Sequence, residues 1–220
     1  MKFEKKTIMT PTGQTKEYFY DPVKPAEYRR VVGGLGWTAG ESPGFIVVVG
    51  EDYHEDPTLK FRHLRLLAEY EAADTPAIIK RLYDFQNMYL VNPWYGENDN
   101  ELMMRFVSRF NQALGPKKKG VYITGAPFVD DVHSLKFYAN HLRNLLGMAK
   151  KALHFGEHSR LPGRLSALLP DDVQMRKVQD YPAIAALGFA VAGLDEPYFD
   201  VAQAREMQEQ MIEQYNVCGL

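Results

Sequence analysis

The sequence predicts an α/β fold with one mixed sheet flanked by helices, and three observations lead to it. A continuous apolar run bounded by glycines, GFIVVVG at 44–50, is typical of a buried central strand. The next apolar segment, at 61–70, alternates polar and apolar residues, as a half-buried antiparallel strand does. Short apolar runs then alternate with helical stripes, which favours parallel strands covered by helices.

The composition is that of a folded globular protein. The 220 residues are 45% hydrophobic and 25% charged, enough to bury a core without disulfide bonds. The single cysteine, Cys218, has no intrachain partner, which fits a reducing compartment. The polar start has no signal-peptide pattern, and no apolar run is long enough to cross a membrane. With a formal net charge of −2, the chain lacks the overall basic field of many nucleic-acid-binding proteins.

The first 43 residues are rich in Pro, Gly and Thr and show little periodicity. We therefore expect 1–43 to be an extended N-terminal arm, with the α/β domain at 44–195. The glycines of VVGGLGW, at 31–37, are interpreted as turn residues. A dinucleotide-binding loop would need a strand before it and a helix after it, and neither pattern is present.

The elements of the α/β domain follow from local patterns. A helix is predicted at Thr75, an N-cap residue followed by proline at the first helical position. A second helix is predicted at Asn98, which resembles a capping box with Glu101. The strands predicted after 44–50 are 61–70, for which a helix is the alternative, 88–92, 120–124 and 152–155. The later helices are predicted to span 131–150, to lie near 162–169, and to begin at Pro182 and at Asp200, the last forming a C-terminal helical extension at 196–220. An antiparallel start followed by such alternation is the RNase H-like arrangement.

Acidic residues follow two of the predicted strands, where ligands of open α/β sheets collect. Asp52 ends the first strand, and Glu97 and Asp99 follow the strand predicted at 88–92. If these strands are neighbours, Asp52 and Glu97 converge and can hold two divalent cations about 3.5–4 Å apart. Oxygen ligands favour Mg²⁺ or Mn²⁺, and His54 is a candidate for proton transfer. The alternative is that these residues only serve turns and helix caps.

Four segments resemble the nuclease domain of phage DNA-packaging terminase large subunits. They are GGLGW…SPGFIVVVGEDY, LLAEYEAADTPAIIKRLYDF, WYGENDNELMMRF and YPAIAALGFAVAGL, and together they span about residues 30–195. The resemblance implies an RNase H-like endonuclease that cuts double-stranded viral DNA with two Mg²⁺ or Mn²⁺ ions. It implies Asp52 as the first acid, at the end of the first strand, and Glu97 or Asp99 as the second. It also implies a phage or prophage protein in the cytoplasm of a bacterial host.

The third acid of that family departs from the pattern. Such domains place an aspartate at the start of a late helix reading Asp-Ala-Leu-Xaa-Tyr-Ala, and the matching run here begins with Ala185. Asp180 is the nearest replacement, although a capping role for the helix at Pro182 competes with it. No Gly-Xaa4-Gly-Lys-Ser/Thr phosphate loop occurs, so a packaging ATPase would be a separate partner.

Two functions of different classes therefore stay open. The first is a metal-dependent DNA endonuclease with Asp52, Glu97 and Asp180 as catalytic residues. Its metal ligands would be Asp52, Glu97 and Asp99. The second is a catalytically inert RNase H-like interaction module of a packaging complex, bound to an ATPase or another terminase subunit. Ala185 favours the module, and the acids at strand ends favour the nuclease. An unrelated α/β protein is a third alternative.

Overall fold

A computed structural model describes residues 2–9, 13, 15–37, 44–53, 63–97, 101–125, 135–147, 152–169 and 180–195. The strands are β1 (Glu4–Met9), β2 (Thr15–Asp21), β3 (Ala26–Gly36), β4 (Gly44–Asp52), β5 (Leu64–Ala72), β6 (Trp94–Gly96), β7 (Ile123–Gly125) and β8 (Leu153–His154). The helices are α1 (Thr75–Tyr89), α2 (Glu101–Leu114), α3 (Leu135–Gly147), α4 (Leu161–Ser166) and α5 (Pro182–Asp195). In these residues no helix is both long and apolar enough to cross a membrane.

The eight strands form one mixed sheet whose order confirms the predicted fold class. Strands β3, β4 and β5 are consecutive antiparallel neighbours. Strand β6 pairs in parallel with the other edge of β3, and β7 pairs in parallel with β6. Helix α1 connects β5 to β6, and α2 connects β6 to β7. The spatial order β5-β4-β3-β6-β7, with these connections, is the RNase H-like order. Strands β1 and β2 extend it beyond β3, and β8 extends it beyond β5.

Strand β4 is buried on both faces. Successive side chains of a strand point to opposite sides of the sheet, and helices cover both sides of β4. Phe45, Val47 and Val49 belong to the core cluster formed with α3 and α5. Ile46 and Val48 belong to the cluster formed with α1 and α2. All five side chains are at most 1% exposed. The strand predicted at 44–50 is therefore confirmed as a central strand covered by helices on both sides.

The expectation of an extended arm at 1–43 is wrong. Strands β1, β2 and β3 lie in this range, and β3 is bonded to β2, β4 and β6. The segment read as turns at 31–37 is thus the centre of the sheet, and the α/β domain begins well before residue 44. The helical extension predicted at 196–220 lies outside the described residues.

Glycines let β3 approach its neighbours closely. A Cβ on Gly34 would lie 1.8 Å from the carbonyl oxygen of Ala186 in α5, and a Cβ on Gly36 would lie 1.8 Å from that of Pro182. Both distances are far below contact between a carbon and an oxygen atom. These positions therefore exclude every side chain while the backbone of α5 rests on the strand.

The strand predicted at 88–92 is also wrong. Its first residues end α1, and Leu90 then adopts a left-handed conformation with φ of 57°. Tyr89 continues the apolar stripe of α1 and packs edge-on against Phe3, with ring centroids 5.1 Å apart. The actual strand, β6, begins at Trp94. A short apolar run does not by itself distinguish a strand from the end of a helix.

The remaining predicted elements are present in the described part of the chain. Helix α1 begins at Thr75, but its cap is Asp74, whose carboxylate accepts the backbone N–H of Ala77 at 2.8 Å. The strands predicted at 61–70, 120–124 and 152–155 correspond to β5, β7 and β8, and the helices predicted at 98, 131–150, 162–169 and 182 correspond to α2, α3, α4 and α5.

Candidate functional site

The register of the sheet separates Asp52 from Glu97. Strand β3 pairs Tyr28 with Asp52 on β4, and it pairs Leu35 with Gly96 on β6. Tyr28 and Leu35 are seven residues apart, which is about 20 Å of strand. Because β4 is antiparallel and β6 is parallel to β3, the two acids lie at opposite ends of the sheet. The prediction that Asp52 and Glu97 converge is therefore wrong.

This prediction is wrong because the sequence pattern identifies β4, and not β3, as the first strand of the RNase H-like order. The sequence reading starts the RNase H-like order at 44–50, which would make β4 the neighbour of β6. The order actually starts with β3, which lies between them. The residue at the end of this strand is Gly36, which has no side chain.

Strands β3 and β6 end on the same side of the sheet. We call this side the "Glu97 end"; it is formed by Gly36, Glu97 and the start of α5. Glu97 directly follows β6 and is only 4% exposed. The last pair of β3 with β6 is Leu35 with Gly96, so Gly36 and Glu97 are the next residues of the two strands. Pro182 packs over Gly36. Asp180, which is exposed, precedes α5 by two residues. The structure thus brings Glu97 and Asp180 to one end of the sheet and places Asp52 at the other.

The described residues at the Glu97 end do not fit a two-metal centre. Two-metal hydrolysis needs several carboxylates to hold both ions, and no group of three His, Cys, Asp or Glu among the described residues could hold a metal ion. Ala185, at the third acid position, is 2% exposed and lies in the core cluster of α5. The other suggested residues, Asp99 and His54, lie outside the described part of the chain.

Asp52 is held by a guanidinium. Both of its carboxylate oxygens accept a hydrogen bond from Nε of Arg65, at 2.9 and 3.0 Å. The side chain of Asp52 is 12% exposed and that of Arg65 is 50% exposed. The hydrogen bond to Asp52 raises the pKa of Arg65. Burial, and then the charge of Asp52, raises the pKa of Tyr28 to about 12. These hydrogen bonds fix the orientation of the Arg65 guanidinium.

A second ion pair at the same end involves Arg30, which the sequence reading placed in the arm. Its Nε donates to Glu51 at 2.8 Å, and its Nη2 donates to the backbone carbonyl of Leu194. The side chains of Arg30 and Glu51 are 13% and 6% exposed. Since Leu194 lies in the last turn of α5, the cation also interacts favourably with the negative end of the helix dipole.

A pair of histidines lies on the neighbouring edge. Nδ1 of His63 and Nε2 of His154 are 3.2 Å apart, and the rings are stacked with centroids 5.4 Å apart. The parallel pairing of β5 with β8 brings the two rings together. No local spacing in the sequence could have indicated this contact, because the two residues are 91 positions apart.

No protein-family model and no curated protein matches the chain. Solved structures are similar to it, among them the following two. One is the large terminase nuclease domain of bacteriophage SPP1 with bound Mn, at 16% identity, covering 73% of this chain and 84% of that one, with a TM-score of 0.45. The other is RuvC of Thermus thermophilus, at 16% identity, covering 74% of this chain and 92% of that one, with a TM-score of 0.38. At these TM-scores the fold assignment stands on the strand order described above.

Proposed function

We propose that this chain is a catalytically inert RNase H-like module that acts by binding within a DNA-packaging complex. The observation that carries the proposal is the close packing of α5 on Gly36 at the Glu97 end. The position on β3 that borders Glu97 has no side chain, and the carbonyl oxygen of Pro182 fills the space where one would begin.

Two further features support an inert site. The side chain of Ala185 has no oxygen and is buried in the core, so it cannot take the place of a carboxylate ligand at the Glu97 end. Asp52, the other acid expected from the resemblance, lies at the far end of the sheet and is paired with Arg65. Glu97 and Asp180, the two acids that the described residues bring to the Glu97 end, supply too little negative charge to hold two divalent cations beside a DNA backbone.

The partners in this proposal are double-stranded DNA and a subunit that carries the packaging ATPase. They come from the resemblance to terminase nuclease domains and from the lack of a phosphate-loop motif in the chain. An RNase H-like sheet without catalysis would serve as a scaffold that holds one partner against the other.

The alternative function is a metal-dependent endonuclease, and the burial of Glu97 favours it. Glu97 is only 4% exposed and directly follows a strand that is paired in parallel on both sides, the place where ligands of open α/β sheets collect. In this alternative, Glu97, Asp99 and Asp180 would bind Mg²⁺ or Mn²⁺.

A plasmid-nicking assay distinguishes the two functions. Supercoiled plasmid is incubated with Mn²⁺ or Mg²⁺ and with the wild type, Glu97→Gln or Asp180→Asn. Glu101→Gln, an acid-to-amide change at a side chain that is 83% exposed, is the matched control. We expect no nicking by any of the four proteins. Nicking by the wild type and by Glu101→Gln that is lost in Glu97→Gln would overturn the inert module and establish the endonuclease.

A gel-shift assay with linear double-stranded DNA and EDTA tests the binding role. We expect a complex whose affinity is the same for the wild type and for Glu97→Gln, since binding in this proposal does not use the acids. If no DNA complex forms, and no complex forms with a packaging ATPase, the proposal fails.

A further inference from the structure

A pocket of about 560 Å³ opens at the Asp52 end of the sheet, on the side covered by α1. This volume lies within the range of small-molecule sites. The walls come from the N-terminus, the turn between β2 and β3, strand β5, the end of α1 and the residues after β8. We call it the Arg65 pocket, after the charged residue that β5 contributes to its wall.

Positive charge predominates in the lining. Lys2, Lys24 and Arg65 line the pocket, against one carboxylate, Asp21. Oδ1 of Asp21 accepts the backbone N–H groups of Val23 and Lys24, at 2.8 and 3.3 Å, so this carboxylate is engaged in the turn between β2 and β3. Lys2 and Lys24 are exposed and can move toward a ligand. The pocket therefore attracts an anion.

Arg65 is oriented for such an anion. Asp52 accepts only its Nε–H, and the two terminal nitrogens of the guanidinium have no acceptor among the described residues. Half of the side chain is exposed on the pocket wall. A guanidinium fixed at Nε presents its terminal N–H groups as a planar fork. Such a fork matches two oxygens of a phosphate better than an ammonium does.

Aromatic rings form much of the rest of the pocket. Tyr89 and Phe155, both half-buried, lie in its lining, together with the buried rings of Phe3 and Tyr28. Phe3 is stacked on Tyr28 with centroids 5.7 Å apart and holds Tyr89 edge-on, which fixes the ring of Tyr89. Rigid aromatic faces beside cationic groups are the combination that binds a base together with its phosphate.

We propose that the Arg65 pocket binds a nucleotide, with its phosphate on Arg65 and Lys24 and its base against the partly exposed rings of Tyr89 and Phe155. The nucleotide is either free or the 5′-phosphorylated end of a DNA strand, since both present the same groups. This inference does not rest on the proposed function, because the pocket and the Glu97 end lie at opposite ends of the sheet.

Isothermal titration calorimetry with dAMP tests the site, with deoxyadenosine and inorganic phosphate as partial ligands. We expect dAMP to bind more tightly than either partial ligand. Arg65→Gln should weaken dAMP binding by about tenfold or more, because it removes charged hydrogen bonds. Lys24→Ala should weaken it by about threefold, as expected for an exposed charge. Arg105→Gln on α2 and Lys136→Ala on α3 are matched exposed controls and should bind like the wild type.

Two further measurements are needed. One distinguishes a free nucleotide from a DNA strand end, and the other shows that weaker binding is not caused by misfolding. A short DNA duplex is titrated with and without 5′-phosphates, and a preference for the phosphorylated duplex over dAMP identifies a strand end. Arg65→Lys keeps the charge next to Asp52 but loses the fork, so it should fold like the wild type and still bind dAMP more weakly. Absence of dAMP and duplex binding, or unchanged binding in both Arg65 variants, would overturn the inference. Equal affinity for inorganic phosphate and dAMP would overturn the role of the aromatic rings.

Discussion

Arg30 and Glu51 form a buried ion pair between β3 and β4, with 2.8 Å between Nε and Oε2. Because Arg30 also donates to the carbonyl of Leu194, one guanidinium joins the two central strands to the last turn of α5. Removing the charge of one partner takes a buried counter-charge away from the other, which costs more than the loss of an exposed pair.

Glu51→Gln should therefore lower the free energy of unfolding by about 3 kcal/mol. Urea denaturation followed by far-UV circular dichroism at pH 7 measures it. The control is Glu17→Gln, which removes the exposed pair of Glu17 with Lys5, whose side chains are 51% and 50% exposed. That change should cost less than about 1 kcal/mol. Equal losses in the two variants would contradict a stabilising role for the buried pair.

Gly36→Ala should destabilise the fold by about 3 kcal/mol or more, since its Cβ would overlap the carbonyl oxygen of Pro182 and displace α5. The control is Gly163→Ala in α4, where a Cβ meets no atom within 4 Å. There the same substitution should be neutral or stabilise by about 0.5 kcal/mol, because alanine favours the helix. Thermal unfolding of both variants checks the contrast. A stable Gly36→Ala variant would show that α5 does not rest on β3.

Stability should fall at alkaline pH because of Tyr28. Burial, and then the charge of Asp52, raises the pKa of Tyr28 to about 12 in the folded protein, against 10.0 for an ordinary tyrosine. Between these values the unfolded chain has lost the proton and the folded protein keeps it. The free energy of unfolding therefore declines as pH rises from about 10 to about 12.

Replacing Tyr28 with Phe removes this contribution, so the alkaline decline should be smaller by up to about 3 kcal/mol. Urea midpoints across the alkaline range measure the effect, with Tyr122→Phe as the control at a ring that is 68% exposed. If Tyr28→Phe and the wild type decline in parallel, Tyr28 does not hold its proton in the folded state.

Ala185→Asp should destabilise the fold instead of supplying a metal ligand. The resemblance predicts stronger Mn²⁺ binding from this change, but Ala185 is 2% exposed and lies in the core. Burying a carboxylate there should cost about 3 kcal/mol or more, whereas Ala167→Asp at an exposed position should cost less than about 0.5 kcal/mol. A well-folded Ala185→Asp protein that gains Mn²⁺ affinity would restore the third acid of the resemblance.

The elements that the sequence predicts correctly are those with a strong local pattern. Strand β4 has a continuous apolar run, and α1 has a start signal and an apolar face. Strand β3 has no such local pattern, and its glycines are typical of turns. Their lack of side chains is favourable only because β3 packs closely against α5 and β6.

The error about the site follows from the error about β3. Asp52 and Glu97 do not meet because β3 lies between β4 and β6, and β3 precedes both of these strands in the chain. The Arg65 pocket likewise combines five separate parts of the chain, so no spacing of residues along the sequence could have predicted it.

The contact between Gly36 and Pro182 also restricts how this protein can evolve. Every residue from 182 to 194 is buried, so α5 cannot shift away from the strand without repacking much of the core. An acid introduced at residue 36 by one substitution would meet a backbone that has nowhere to move. Any lineage leading from this chain to a carboxylate at that place must therefore change the core first, and each intermediate on that path must fold before catalysis can be selected.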